Sequence, residues 1–306
     1  MSEAIQVIWP SGRGYWDMSV LEDIFSGKMW RPVNGFEFKH SWGEVTPRSG
    51  MFVAAEGAVV VLPARHMVER VDEINDELVK YKWVLLIVAG DEESLFPVER
   101  IKHRNMKVWI MTPLKGTNDT LGRPFINGYS GGTPEWLVKY GKEARERSLP
   151  WFFAGQCTHP RRHQCADQLQ RMSEHGGVLH RSQKFTEGVE RELYFKYLAS
   201  CKIAPCPSGP ATPDTFRLYE ALEAGCLPLV DAQTSRPGYP DGYWELVFQN
   251  PPFTQVSDWS QLPEIMEKEL AVWSEKSSRI AAWWMGIKRK MAYDMRDDIN
   301  ELRSQI

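Results

Sequence analysis

Arg217 and Glu220 stand three residues apart in Thr212-Pro-Asp-Thr-Phe-Arg-Leu-Tyr-Glu-Ala-Leu-Glu-Ala-Gly225, a spacing that places both on one face of a helix. A guanidinium one turn from a carboxylate, close to a loop of small residues, suits a nucleotide. The cation would hold a diphosphate and the carboxylate the ribose hydroxyls. The same spacing also describes an exposed intrahelical ion pair worth about 0.2–0.5 kcal/mol. On the pattern alone both readings stand.

The elements that must position this pair are legible. Lys202 to Pro205 reads as a strand, and Pro207 to Ala211 as a loop, because such residues neither sit in a sheet interior nor continue a helix. Thr212 is a good N-cap, Pro213 suits the first helical position, and Asp214 suits the first turn. Gly225 closes the helix and Leu227 to Val230 returns to the sheet. Free N–H groups and the helix dipole make such a loop-to-helix turn attractive to phosphate. A second candidate is Trp151-Phe-Phe-Ala-Gly-Gln-Cys-Thr-His-Pro-Arg-Arg162. Its strand, 151–154, ends at Gly155, and Thr158 can cap a helix beginning at His159-Pro160. Arg161 or Arg162 would then face an anion at a helix start, or form an ordinary exposed pair.

The segment from Thr212 to Pro228 resembles the nucleotide-sugar segment of exostosin-like glycosyltransferases. More broadly it is similar to the second-domain Glu-Ala-(Leu/Met)-Ala-x-Gly-x-Pro segment of GT-B glycosyltransferases. Trp151 to Arg162 resembles the exostosin Phe-x-Gly…Arg entry into that domain. The resemblance covers roughly 148–232, whereas residues 1–147 show no family signature. It implies a nucleotide sugar, most simply a UDP-sugar, bound through Gly155, Arg161, Arg162, Thr212, Asp214, Thr215, Arg217 and Glu220. It implies arginines in place of a metal at the diphosphate, and so no cofactor. Many retaining GT-B enzymes carry a Glu where this chain has Thr212. Its Asp214-Thr-Phe-Arg217 instead matches exostosin-like sequences, which leans towards inversion.

Inversion needs a base on the acceptor hydroxyl, which GT-B enzymes take from the first domain. Asp91, just past an apolar strand at 83–89, is the best-placed carboxylate; Glu93 and His66 are the neighbouring options. Gly12 and Gly14, in the turn-rich Pro10–Gly14 loop, would let an acceptor approach the backbone closely. Cys157, His159, His163 and Cys165 have metal-ligand chemistry, but His163 and Cys165 diverge on a helix and no Cys-x2-Cys accompanies them. No metal site is expected.

Bulk properties bound the rest. At 306 residues with net charge −3, the chain can form two α/β domains. Residues 1–150 carry 19 basic and 20 acidic side chains, and residues 151–306 carry 18 and 20. No global basic field points to nucleic acid, so any polyanion contact must be local. Two basic stretches qualify: Arg100 to Lys107, and Lys288 to Lys290 beside Trp283 and Trp284. The 13 Trp either pack or stack on sugars and bases. The N-terminus lacks signal-peptide character, no run approaches 18 apolar residues, and five Cys suit reduced thiols. A cytoplasmic protein is expected.

The apolar pattern predicts strands at 4–9, 57–63, 83–89, 107–111, 151–154 and 177–180. Helices are predicted at about 65–81, 97–104, 160–174, 187–199, 261–275 and 277–304, with a long loop over 112–134. The expected architecture is α/β and GT-B-like: two Rossmann-like domains facing a cleft, with a C-terminal helix crossing back to the first. Residues 1–147 form the acceptor-side domain, 148–275 the nucleotide-sugar domain, and 276–306 the returning helix. The expected function is glycosyl transfer to an acceptor hydroxyl, with a hydroxymethylated base in phage-type DNA slightly favoured over a bacterial surface-glycan precursor. A nucleotide-sugar-binding protein without catalysis is the alternative. The pattern leaves sugar and oligomeric state open.

Overall fold

The computed structural model describes residues 3–9, 18–26, 36–42, 56–112, 122–141, 146–184, 187–234 and 242–306. Gly12 and Gly14 lie outside them. The chain divides into two compact units, Met1–Asn127 together with Ile287–Ile306, and Gly128–Gly286.

The first unit is built on a parallel sheet. Its strands are β1 (Glu3–Trp9), β2 (Phe36–Trp42), β3 (Gly57–Pro63), β4 (Trp83–Ala89), β5 (Met106–Met111) and β6 (Arg123–Phe125), in the order β2-β1-β3-β4-β5-β6. Every residue of β3 and β4 is buried. A parallel strand covered on both faces needs a continuous apolar run, as Ala-Val-Val-Val-Leu and Val-Leu-Leu-Ile-Val supply. Helices α1 (Met18–Ser26) and α2 (Val71–Leu78) belong to this unit. The helix expected from 65 to 81 is shorter. Short 3-10 turns at Ala64–His66 and Val68–Arg70 precede α2, which buries Val71, Ile74 and Leu78 against the sheet. The expected 97–104 helix is a single 3-10 turn, Val98–Arg100.

The second unit holds the other parallel sheet, of order β11-β10-β9-β7-β8. Its elements in chain order are α3 (Thr133–Tyr140), β7 (Leu149–Gln156), α4 (Pro160–Arg171), β8 (Val178–Ser182), α5 (Arg191–Ser200), β9 (Cys201–Cys206), α6 (Phe216–Glu223), β10 (Leu227–Asp231), α7 (Tyr243–Phe248) and β11 (Thr254–Val256). The division falls at Asn127–Gly128 rather than at 147–148, because α3 packs against α5 and α6. The expected loop over 112–134 therefore contains β6 and the start of α3.

One helix, α8 (Leu262–Ser304), replaces the two expected after residue 260. The helix runs through Ser277 and Ser278, whose hydroxyls bond back to the Ser274 carbonyl within it. Its residues to Gly286 belong to the second unit and those from Ile287 to the first. In the first unit Asp298 accepts from Lys107 Nζ at 2.9 Å and Trp109 Nε1 at 2.8 Å, and Asn105 Nδ2 donates to the Leu302 carbonyl. The architecture is α/β with two parallel sheets and a long C-terminal helix. No helix among the described residues is long and apolar enough to cross a membrane.

Trp109, Trp151, Trp244, Trp259 and Trp284 are fully buried, so much of the tryptophan complement is packing. All five cysteines are free thiols and buried.

Candidate functional site

In the second unit the strands β7, β9 and β10 end next to α4 and the loop leading into α6. That loop differs from its expected form. Thr212 does not start the helix: its Oγ1 accepts from Asp214 N, and its carbonyl accepts from Gly209 N. This local side-chain turn competes with helix formation. Asp214 is buried, and its Oδ2 accepts the hydroxyls of Tyr219 and Tyr243, each at 2.9 Å. The N-cap of α6 is Thr215, in extended conformation. Gly225 closes the helix at φ +69, as the C-terminal glycine predicted.

Arg217 lies across the end of β7. Its Nη2 donates to the Ala154 carbonyl, and its guanidinium sits 4.6 Å from the centre of the Phe153 ring. A Cβ built on Gly155 would overlap Arg217 Nη2 and stand 3.2 Å from Cζ, so glycine is what admits the arginine here. Arg162, on the first turn of α4, spans the same strand ends, with Nε to the Ser208 carbonyl at 2.8 Å and Nη1 to the Gln156 carbonyl at 3.1 Å.

Arg161 is placed differently from its expected diphosphate contact. Its Nε and Nη2 bond the carboxylate of Asp231, and Nη2 also donates to the Val256 and Ser257 carbonyls. Asp231 is fully buried and also accepts from Trp259 Nε1 and Ser208 N. A buried carboxylate needs such a partner, so Arg161 ties β10 and β11 together rather than facing an anion.

Glu220 is 7% exposed. Its Oε1 accepts from Ser130 Oγ at 2.5 Å and its Oε2 from Tyr194 OH at 2.6 Å. The simple surface Arg217–Glu220 pair is therefore absent, since each side chain is held by other groups. Neither Ser130 nor Tyr194 carried a sequence signal, because both come from elements distant in the chain.

Three buried polar atoms beside this loop have no hydrogen-bond partner among the described residues: Ser208 Oγ, Thr215 Oγ1 and Arg217 Nε. His159, at the N-cap of α4, is buried too. Burial first, and the neighbouring Arg162 charge second, lower its pKa from 6.5 to about 4, so the imidazole is neutral at neutral pH. Among the described residues no cluster of three or more His, Cys, Asp or Glu could hold a metal ion.

In the first unit, the carboxyl ends of β3, β4 and β5 hold the acceptor-side candidates. Asp91 is 6% exposed, and its two oxygens accept from Leu95 N and Phe96 N, both at 2.9 Å. The carboxylate is turned into its own loop, which corrects the expectation of an accessible base. Glu93 stands 3.7 Å from Arg65, and His66 is exposed on the turn after β3. Ser94 at φ 52 and Thr112 at φ 54 lie nearby in sequence and bonding, Thr112 Oγ1 donating to the Asp91 carbonyl. A β-branched residue in the left-handed region is strained, and such strain gathers at functional loops.

Residues 159–302 match the family described as RXYLT1 C-terminal domain. The matched span includes Arg161, Arg162, Thr212, Asp214, Thr215, Arg217 and Glu220, but not Gly155. A crystal structure of an alpha1,3-fucosyltransferase is similar at 11% identity and a TM-score of 0.41, over 92% of this chain and 82% of that one. No curated protein sequence matches the chain. The family match supports the resemblance to exostosin-like glycosyltransferases, and with it an enzyme of the glycosyltransferase class.

Proposed function

We propose that the protein transfers a sugar from a nucleotide sugar to an acceptor hydroxyl, binding the donor in its second unit. The observation behind this reading is the set of partnerless buried donors at Ser208, Thr215 and Arg217. A buried group left without a partner costs about 1–3 kcal/mol. Three such groups beside a loop and a helix start make a cradle for diphosphate oxygens. Arg217 and Arg162 supply the cation, and the first N–H groups of α6 add to it. As the sugar leaves, charge builds on the diphosphate, and fixed guanidinium groups stabilise it without a metal. Glu220 accepts the ribose hydroxyls.

A UDP-sugar is the donor that the resemblance implies. With Asp91 engaged in its loop, the base for inversion passes to Glu93 or His66. Within the basic stretches Lys107 is paired with Asp298 and Glu301, Arg100 stands near Asp72, Lys290 is paired with Asp294 and Lys288 is buried, while Lys102, Arg104 and Arg289 are exposed. Hydroxymethylated DNA and a surface-glycan precursor are therefore both carried into the test, since exposed cations of this kind can contact a phosphate backbone.

The test is thermal shift with UDP, GDP, CMP and ADP sugars, followed by turnover on a lipid-linked sugar and on hydroxymethylated DNA. Stabilisation of about 2.7 kcal/mol is expected at 100 times the dissociation constant. No shift with any of them overturns the reading; binding without turnover on either acceptor reduces it to a nucleotide-sugar-binding protein.

A further inference from the structure

Glu220 is held by two hydroxyls from different parts of the second unit. Ser130 comes from the loop before α3, and Thr133 Oγ1 fixes it there by donating to the Ser130 carbonyl at 2.7 Å. Tyr194 comes from α5, its ring set edge-on against Phe152 and Phe195, with centroids 5.4 and 5.2 Å away. Burial first and the Glu220 charge second raise the Tyr194 pKa well above the ordinary phenol range, so it remains a donor. Both bonds run from a hydroxyl to a carboxylate and are charge-assisted, which makes them strong and directional.

Each carboxylate oxygen has room for a second hydrogen bond. With one direction of each taken by protein, the remaining acceptor directions are fixed in space. A carboxylate with one further acceptor direction on each oxygen can take the two O–H groups of a vicinal diol. Were either hydroxyl missing, the carboxylate could turn about its terminal torsion, which is intrinsically broad.

We propose that Ser130 and Tyr194 are positioning residues that set the Glu220 carboxylate to select the ribose diol of the donor, giving the site its preference for ribonucleotides over nucleotides that lack the diol. This rests on the nucleotide-sugar reading above. Neither residue touches the sugar that moves, so the effect falls on donor recognition rather than on the chemical step.

Binding is measured calorimetrically for UDP and GDP, for their 2′,3′-dideoxy counterparts, and for inorganic pyrophosphate. The proteins are the full chain and its Tyr194→Phe, Ser130→Ala and Ser130→Thr variants. Wild type is expected to favour ribo over dideoxy by about tenfold or more, the worth of a charge-assisted bond. Tyr194→Phe and Ser130→Ala should lose most of that ratio while keeping pyrophosphate affinity, and Ser130→Thr, which retains a hydroxyl, should restore it. A merely structural role would lower the melting temperature and leave the ratio untouched, and that result overturns the proposal. Should Tyr194→Phe fail to fold, the Ser130 pair decides alone. If wild type binds neither UDP nor GDP, the nucleotide-sugar reading itself falls, and this proposal with it.

Discussion

Replacing Gly155 by alanine tests the link between the end of β7 and the guanidinium of Arg217. The added methyl would overlap Nη2 and stand 3.2 Å from Cζ, tighter than ordinary carbon contact at about 3.5–4.0 Å. The guanidinium must therefore move by roughly 1 Å or more, giving up its bond to the Ala154 carbonyl and its seat over Phe153. Because the obstructing atoms are the far end of a flexible side chain, the fold should lose only about 1 kcal/mol, the low end for overpacking. Function should suffer more, since a 1 Å misplacement of a positioned group can cost about a hundredfold. Pyrophosphate and UDP affinities, donor KM and melting temperature should be measured for Gly155→Ala, Arg217→Ala and the double variant. In the Arg217→Ala background the alanine should be nearly silent, the sign of a coupled pair. Gly155→Ala binding UDP as tightly as wild type would refute the assignment of Arg217 to the diphosphate.

Arg161→Ala should destabilise the second unit by about 3–5 kcal/mol, because it strands the buried Asp231 carboxylate; urea unfolding checks this, and intact stability with lost UDP binding would reverse its structural role. Asp91→Asn turns an amide towards the Leu95 or Phe96 N–H, so a loss of about 1–3 kcal/mol is expected, with turnover per folded molecule retained; lost turnover at unchanged stability would return Asp91 to catalysis. For His159, the unfolded chain takes up a proton near pH 6.5 while the folded chain resists until about pH 4. Stability should thus fall as pH drops through that window, by at most about 3 kcal/mol. Unfolding curves at pH 7, 5.5 and 4.5 should show wild type losing about 2–3 kcal/mol relative to His159→Gln, and a pH-independent difference would refute the burial of a neutral His159.

The apolar strands β3 and β4 could be read from sequence because a buried parallel strand leaves a run of branched apolar residues. β2, Phe36–Trp42, carries Glu37, Lys39 and His40 and gave no such run. The start of α6 was misplaced because Thr212-Pro213-Asp214 has every composition cue of a helix start. Those cues were satisfied instead by local bonds to Thr212 and by the tyrosines holding Asp214. Arg217 and Glu220 were found through spacing and family pattern. Their partners were not, since Ala154, Ser130 and Tyr194 meet them only in the folded sheet-and-helix layer. Arg161 and Arg162 are adjacent and chemically identical, and only the position of Asp231 at the end of β10 separates their roles.

With every sulfhydryl sealed inside the protein, a coloured thiol reagent becomes a clock for opening. Cys201 and Cys226, their sulfurs 3.5 Å apart beside Arg147, should react only when the layers around them separate. The same concealment lets a cysteine engineered onto the surface carry a fluorophore without first stripping the native ones.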